Sequence, residues 1–183
     1  MNQVLKTIRN RRSVRLYKPE QTKEEELQAI LEAGIWAPSG HNGQPWHFTV
    51  IQNKELIDHM SQVCLTDMAA YPIDWIAKMG KTGKHIFHNA PTVIVVSGRK
   101  EAFLNPVVDC SAAIENMLLA AESLDIGSCW IGLARFFFDK PEELKALNLP
   151  EGYEPFYAVT FGYKEVPNGK GLARKAGTIS YIR

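Results

Sequence analysis

Residues 107–124 read Val-Val-Asp-Cys-Ser-Ala-Ala-Ile-Glu-Asn-Met-Leu-Leu-Ala-Ala-Glu-Ser-Leu, the most strongly helical run in the chain. Pro106 stands where a proline opens a helix, and polar relief is confined to Asp109, Ser111, Glu115, Asn116, Glu122 and Ser123. A helix this apolar needs cover on more than one side, from a core or a partner subunit. Gly127 is expected to cap its C-terminal end. Outward from the helix, residues 91–96 (PTVIVV) form the continuous apolar run of an interior strand. Residues 128–133 predict a strand ending at Gly132, and residues 155–161 a last interior strand running into Gly162 and Tyr163.

The N-terminal half alternates helices and one strand. Val4, Leu5 and Ile8 share one helical face. Thr22 followed by Glu25 predicts a capping box, with Leu27, Ile30, Leu31 and Ile35 carrying that helix to Pro38. Residues 47–51 alternate as a strand, and Leu56, Ile57, Met60 and Val63 predict another amphipathic helix. Residues 64–89, with Tyr71, Trp75, Met79 and Phe87 among lysines and histidines, have weak periodicity; they suit a cover over a pocket or a pair of short surface helices. A short helix is expected from Asp139 and Pro141 through Leu147. Residues 164–183 form a basic C-terminal arm in which Tyr181 and Ile182 could add an edge strand elsewhere. No linker divides the 183 residues, so a single domain is expected.

Bulk properties narrow the function. Lys+Arg 21 against Asp+Glu 20 leaves a net charge of +1, too little for a long-range field that gathers nucleic acid or membrane. Any electrostatic function must be local. Cys64, Cys110 and Cys129 are odd in number and make no CxxC pair, which argues against a disulfide framework or zinc site. No stretch approaches the ~20 apolar residues of a membrane span, and the N-terminus lacks a signal-peptide pattern, so a cytoplasmic protein is expected.

Local charge is concentrated between Lys6 and Lys18, where Lys6, Arg9, Arg11, Arg12, Arg15 and Lys18 occur without one acid. Such a run can be a solvated face, a nucleic-acid contact or a phosphate site. Arginine forks beside the Ser13 hydroxyl combine charge with directional hydrogen bonds, as a phosphate requires. Residues 37–46 (APSGHNGQPW) hold no acid and no nucleophile in a recognisable setting; Asn42 and Gln44 offer amides that both donate and accept. Those groups suit the urea-like edge of a flavin, or merely cap a structural loop. The five histidines lack metal-ligand spacing, and the chain has no GxSxG, Walker or GxGxxG motif.

Arg11 to Arg15 after a first short helix, residues 37–46 after a second, the 116–132 run NMLLAAESLDIGSCWIG, the strand ending FGY and the Arg174-Lys175 tail together resemble the flavin-dependent nitroreductase family. The likeness spans nearly the whole chain, in order. It implies an α+β fold with a mostly antiparallel central sheet flanked by helices, and an intertwined homodimer in which the 107–124 helix is a candidate for the core. It further implies FMN as cofactor: Arg11, Ser13 and neighbouring Arg12 at the phosphate with Arg174 or Lys175, and Arg15 near the N1 and O2 ring edge. Pro38, Ser39, Gly40, Asn42 and Gln44 would approach from the other subunit, and Ile131 and Gly132 would bring backbone to the ring face. Lys84 is a further candidate from the 64–89 segment.

The implied activity is reduction of nitroaromatic or quinone-type acceptors with NADH or NADPH by ping-pong hydride transfer. The same scaffold would also suit flavin-dependent dehydrogenation, dehalogenation or flavin breakdown, or a non-catalytic FMN-binding protein. No strong acid or base is needed, which agrees with the lack of a catalytic constellation.

Overall fold

In the computed structural model, which describes residues 1–102 and 105–183, four antiparallel strands form one sheet between two layers of helix. The elements are α1 (Gln3–Asn10), α2 (Glu24–Ile35), β1 (Trp46–Ile51), α3 (Lys54–Ala69), α4 (Asp74–Lys81), β2 (Thr92–Arg99), α5 (Pro106–Ser123), β3 (Ile126–Ile131), α6 (Arg135–Phe138), α7 (Pro141–Leu144) and β4 (Tyr153–Tyr163). The strand order is β1-β2-β4-β3.

The period of two along each strand divides the core. Val93, Val95, Cys129, Ile131 and Ala158 face a layer built from α3, α4 and α6, where Met60, Cys64, Met68 and Phe137 are buried. Ile94, Val96, Val159 and Phe161 face α2 and α5, meeting Leu27, Ile30, Ile114 and Met117. With both faces covered, β2 is buried from Thr92 through Gly98, which is why it reads as an unbroken apolar run. The two helices α2 and α5 approach closely at Gly34, where an added Cβ would come 2.9 Å from Met117 Cγ. Asn116 Nδ2 donates to Ala33 O at 3.0 Å across the same contact.

Two predicted caps move. The start of α2 falls one residue later than the Thr22 box. Lys23 N–H donates to Glu26 Oε2 at 3.0 Å, and Tyr163 Oη lies 2.6 Å from the same oxygen, so a tertiary contact sets the cap. Thr22 is buried instead, and its hydroxyl has no hydrogen-bond partner among the described residues. At the end of α5 the left-handed residue is Asp125 (φ 60°), held by Lys164 Nζ at 2.9 Å. Gly127 lies in β3 opposite Gly162, where its lack of a side chain admits Val14; an added Cβ would meet Val14 Cγ1 at 2.8 Å.

Segment 64–89 completes α3, adds α4 and ends in a turn, with Ile76, Ile86 and Phe87 buried. The short helix α6 has no counterpart in the sequence reading; its three phenylalanines are all buried. The arm after Lys164 carries no helix or strand, and Leu172, Ile179, Tyr181 and Ile182 are exposed along it.

Candidate functional site

Helix α1 stops at Arg11, whose N–H donates to Thr7 O at 2.9 Å, and the chain then runs extended along the outer edge of β3. Val14 N–H donates to Ser128 O at 2.9 Å, Ser13 forms a parallel bridge with Ser128, and Lys18 N–H donates to Tyr163 O at 2.9 Å. Buried Val14 and Tyr17 fasten the segment to the sheet, leaving Ser13 and Arg15 exposed. A strongly charged stretch is thereby fixed in one conformation.

Its charges are not matched locally. Among the described residues no carboxylate forms an ion pair with Arg9, Arg11, Arg12 or Arg15. Arg11, Ser13 and Arg15 converge on Cys129: burial raises that thiol's pKa, while Arg15, a Ser13 hydrogen bond and Arg11 act the other way. Arg12 turns elsewhere. Its Nη1 donates to Arg9 O and Arg11 O, both at 2.7 Å, and its guanidinium packs against Gly171 of the arm.

Beside this edge lies a cavity of about 400 Å³. Arg15, Ile131 and Gly132 line one side; Met68, Met79 and His88 from the 64–89 segment line another. Lys84 also reaches it. At Gly132 an added Cβ would meet nothing within 4 Å, so exposed backbone borders open space. Burial and Arg15, with a smaller effect from His85, bring His88 down to a pKa of about 4, so a neutral imidazole faces the cavity at neutral pH.

The 37–46 loop sits at the opposite edge of the sheet, leading into β1. Ser39 Oγ accepts from Gln44 N–H at 3.0 Å, Gln44 Nε2 donates to Asn42 Oδ1 at 3.1 Å, and Gly40 N–H points to both carboxylate oxygens of Asp109 at 3.3 Å. His41, Asn42 and Gln44 are left-handed, with φ of 51°, 55° and 43°. The strain thus sits on the polar residues rather than on the flanking glycines, a pattern concentrated at binding loops. Pro38, Asn42 and Gln44 are exposed, and Gly40 borders a second cavity of about 480 Å³ with Arg99 and Asp109.

One chain therefore brings Arg11, Ser13, Arg15, Ile131 and Gly132 to the β3 edge, and keeps Pro38, Ser39, Gly40, Asn42 and Gln44 at the β1 edge, on the other side of β2 and β4. Arg174 and Lys175 are exposed on the arm. The sequence placed His85 and His88 in the possible pocket cover of residues 64–89 but gave neither an individual role. Their three-residue spacing lacks a third metal ligand and reads as core or surface histidine, and no group of His, Cys, Asp and Glu among the described residues could hold a metal ion.

A family model described as the nitroreductase family matches residues 8–163. The chain belongs to the nitroreductase family. This nitroreductase-family chain is 37% identical to a nitroreductase with bound FMN from Bacteroides fragilis, with a TM-score of 0.90 and 100% of both chains covered. A nitroreductase with bound FMN from Desulfitobacterium hafniense is 33% identical, with a TM-score of 0.91 and the same coverage. A protein of Archaeoglobus fulgidus, named as an NADH dehydrogenase/NAD(P)H nitroreductase, is 36% identical over 171 residues, 89% of this chain and 86% of that protein. The expected α+β architecture with an antiparallel sheet is the one observed. No helix among the described residues is long and apolar enough to cross a membrane.

Proposed function

We propose that this chain binds FMN at the β3 edge and acts as an NAD(P)H-dependent oxidoreductase on electron-poor acceptors such as nitroaromatics and quinones. The observation that carries the reading is the immobilised cation segment, whose arginines have no acid partner among the described residues, set beside the open backbone of Gly132. Its donor set fits a phosphorylated, ring-bearing cofactor, and FMN is bound in the named neighbours. Hydride acceptance and return is the chemistry that FMN supplies when bound.

The chain's own contribution is binding and electrostatics. Arg11 and Ser13 hold the phosphate, joined by Arg174 or Lys175 of the arm. Arg12 supports the first two by tying the arm to the end of α1 through Gly171. Arg15 keeps a fixed positive charge beside the slot, which favours a ligand that gains negative charge. Ile131 and Gly132 offer a backbone surface that a flat ring can approach.

A second copy completes the site. The amide loop of residues 38–44 lies at the far sheet edge of its own chain, so Asn42 and Gln44 serve the slot of a twofold partner. Exposed Val4, Leu5 and Ile8 on α1, with Trp36 and Val108, supply an apolar surface suited to that contact. Nicotinamide and acceptor use the one opening in turn. Buried free Cys64, Cys110 and Cys129 suit a reducing cytoplasm.

The test is direct. Purified protein should elute as a dimer, turn yellow with FMN, and oxidise NADH or NADPH in the presence of menadione or a nitroaromatic. A protein that is colourless once unbound FMN has been removed, or a yellow one with no nicotinamide turnover, refutes the reading at the binding or the catalytic step respectively.

A further inference from the structure

His85 occupies a position that the proposed reaction does not require. Its Nδ1 is the acceptor for two backbone donors, Phe87 N–H at 3.2 Å and Asn89 N–H at 3.4 Å. An imidazole nitrogen that accepts carries no proton, so the tautomer is fixed with hydrogen on Nε2, which faces Asp58 Oδ1 at 3.3 Å. Asp58 is in turn gripped by Lys54 one helical turn earlier. The other N–H groups of residues 86–90 also have acceptors: Ile86 N–H in Ser61 Oγ at 3.0 Å, His88 N–H in His85 O at 3.0 Å and Ala90 N–H in Phe87 O at 3.0 Å. The turn so held carries two consecutive left-handed residues, His88 (φ 55°) and Asn89 (φ 54°), a conformation that needs outside support.

We propose that His85 is a positioning residue and an acid-sensitive latch for the cavity: its neutral ring, oriented by Asp58, holds the turn that sets His88 opposite Arg15. Protonation of Nδ1 removes both acceptor bonds at once and releases that wall. The charged and titratable groups facing the ring are Asp58 and Lys54 on α3 and His88 on its own turn. Burial favours the neutral ring and Lys54 does so too, whereas Asp58 opposes them, so the latch is closed at neutral pH. The latch rests on the FMN reading only for its effect on cofactor binding.

The experiment uses full-length protein in three forms: wild type, His85→Asn and His85→Phe. The Asn side-chain oxygen stands close to where Nδ1 stood and accepts the same N–H groups but does not titrate; Phe keeps the bulk and accepts nothing. FMN affinity is followed by quenching of flavin fluorescence at neutral and mildly acid pH, and amide hydrogen exchange is followed at Phe87 and Asn89. His85→Phe should bind FMN about tenfold more weakly at neutral pH and expose both amides to exchange, whereas His85→Asn should restore most of the affinity and protection. Wild type should lose roughly tenfold more affinity on acidification than His85→Asn.

Any acid effect shared by wild type and His85→Asn belongs to groups other than His85, the ligand's phosphate and His88 among them. Equal pH profiles for those two forms, or an Asn variant as defective as Phe, overturn the proposal. A protein that takes up no FMN at any pH sinks the slot, while exchange at Phe87 and Asn89 still decides the latch.

Discussion

The phenol of Tyr17 lies 2.8 Å from the hydroxyl of Thr160 and donates to Val14 O at 2.8 Å, in the buried seam between the basic segment and β4. Burial pushes the phenol's pKa well above its ordinary value, so the group stays neutral and keeps its proton for Val14. Tyr17→Phe should cost about 1–2 kcal/mol of stability in urea unfolding, because the Val14 carbonyl is left buried without its donor. An unchanged unfolding midpoint would show that the seam holds without this hydroxyl.

Arg11 and Arg12 are adjacent in sequence but differ in what they touch. Arg11→Ala should weaken FMN binding about tenfold or more, whereas Arg12→Ala should have a smaller effect on the phosphate and loosen the arm near Gly171. Isothermal titration with FMN, paired with limited proteolysis of the arm, separates the two. Equal losses of affinity would remove the distinction.

Two glycines should respond in opposite ways. Gly132→Val should leave the unfolding midpoint close to wild type, since a side chain there enters open space, yet block cofactor uptake by filling the slot. Gly80→Ala should destabilise by about 2–3 kcal/mol, because its Cβ would collide with the backbone of Ala69 and Met68. Thermal melts with and without FMN measure both. A strongly destabilised Gly132→Val protein would contradict the open space seen there.

His88 should make stability depend on pH in one direction. Its pKa falls from the ordinary 6.5 to about 4, chiefly through burial and then through Arg15 and His85. The unfolded chain therefore takes up the proton first. The contribution is complete above about pH 6.5 and is lost progressively as the pH falls towards 4. His88→Gln should flatten that part of the profile in urea unfolding measured across the range. A variant with the same slope as wild type would assign the dependence to other groups.

The architecture was legible where burial writes itself into residue type. The run at residues 91–96 announced a strand covered on both faces, and the apolar α5 announced a helix wedged between neighbours. The antiparallel sheet came through the conjunction of motifs rather than from any one strand. Errors arose where a distant contact overrides a local preference. Glu26 is claimed by Tyr163, which moves the α2 cap off Thr22; Lys164 holds Asp125 left-handed, which frees Gly127 to serve the packing of Val14. Of the candidate site, the basic segment was readable because six cations without an acid are rare locally. The opposite orientation of Arg12 was not, since neighbours in an extended chain point different ways. The separate parts played by His85 and His88 within the 64–89 segment stayed hidden because a histidine that caps a turn has no sequence periodicity.

The placement of the amide loop and the basic segment at opposite edges of one sheet has a genetic consequence. If each slot takes its walls from two copies, a lesion in Asn42 and a lesion in Arg11 disable different halves of it. Two such damaged chains, inactive separately, would rebuild one sound slot in every mixed pair, so co-expressed alleles would complement each other.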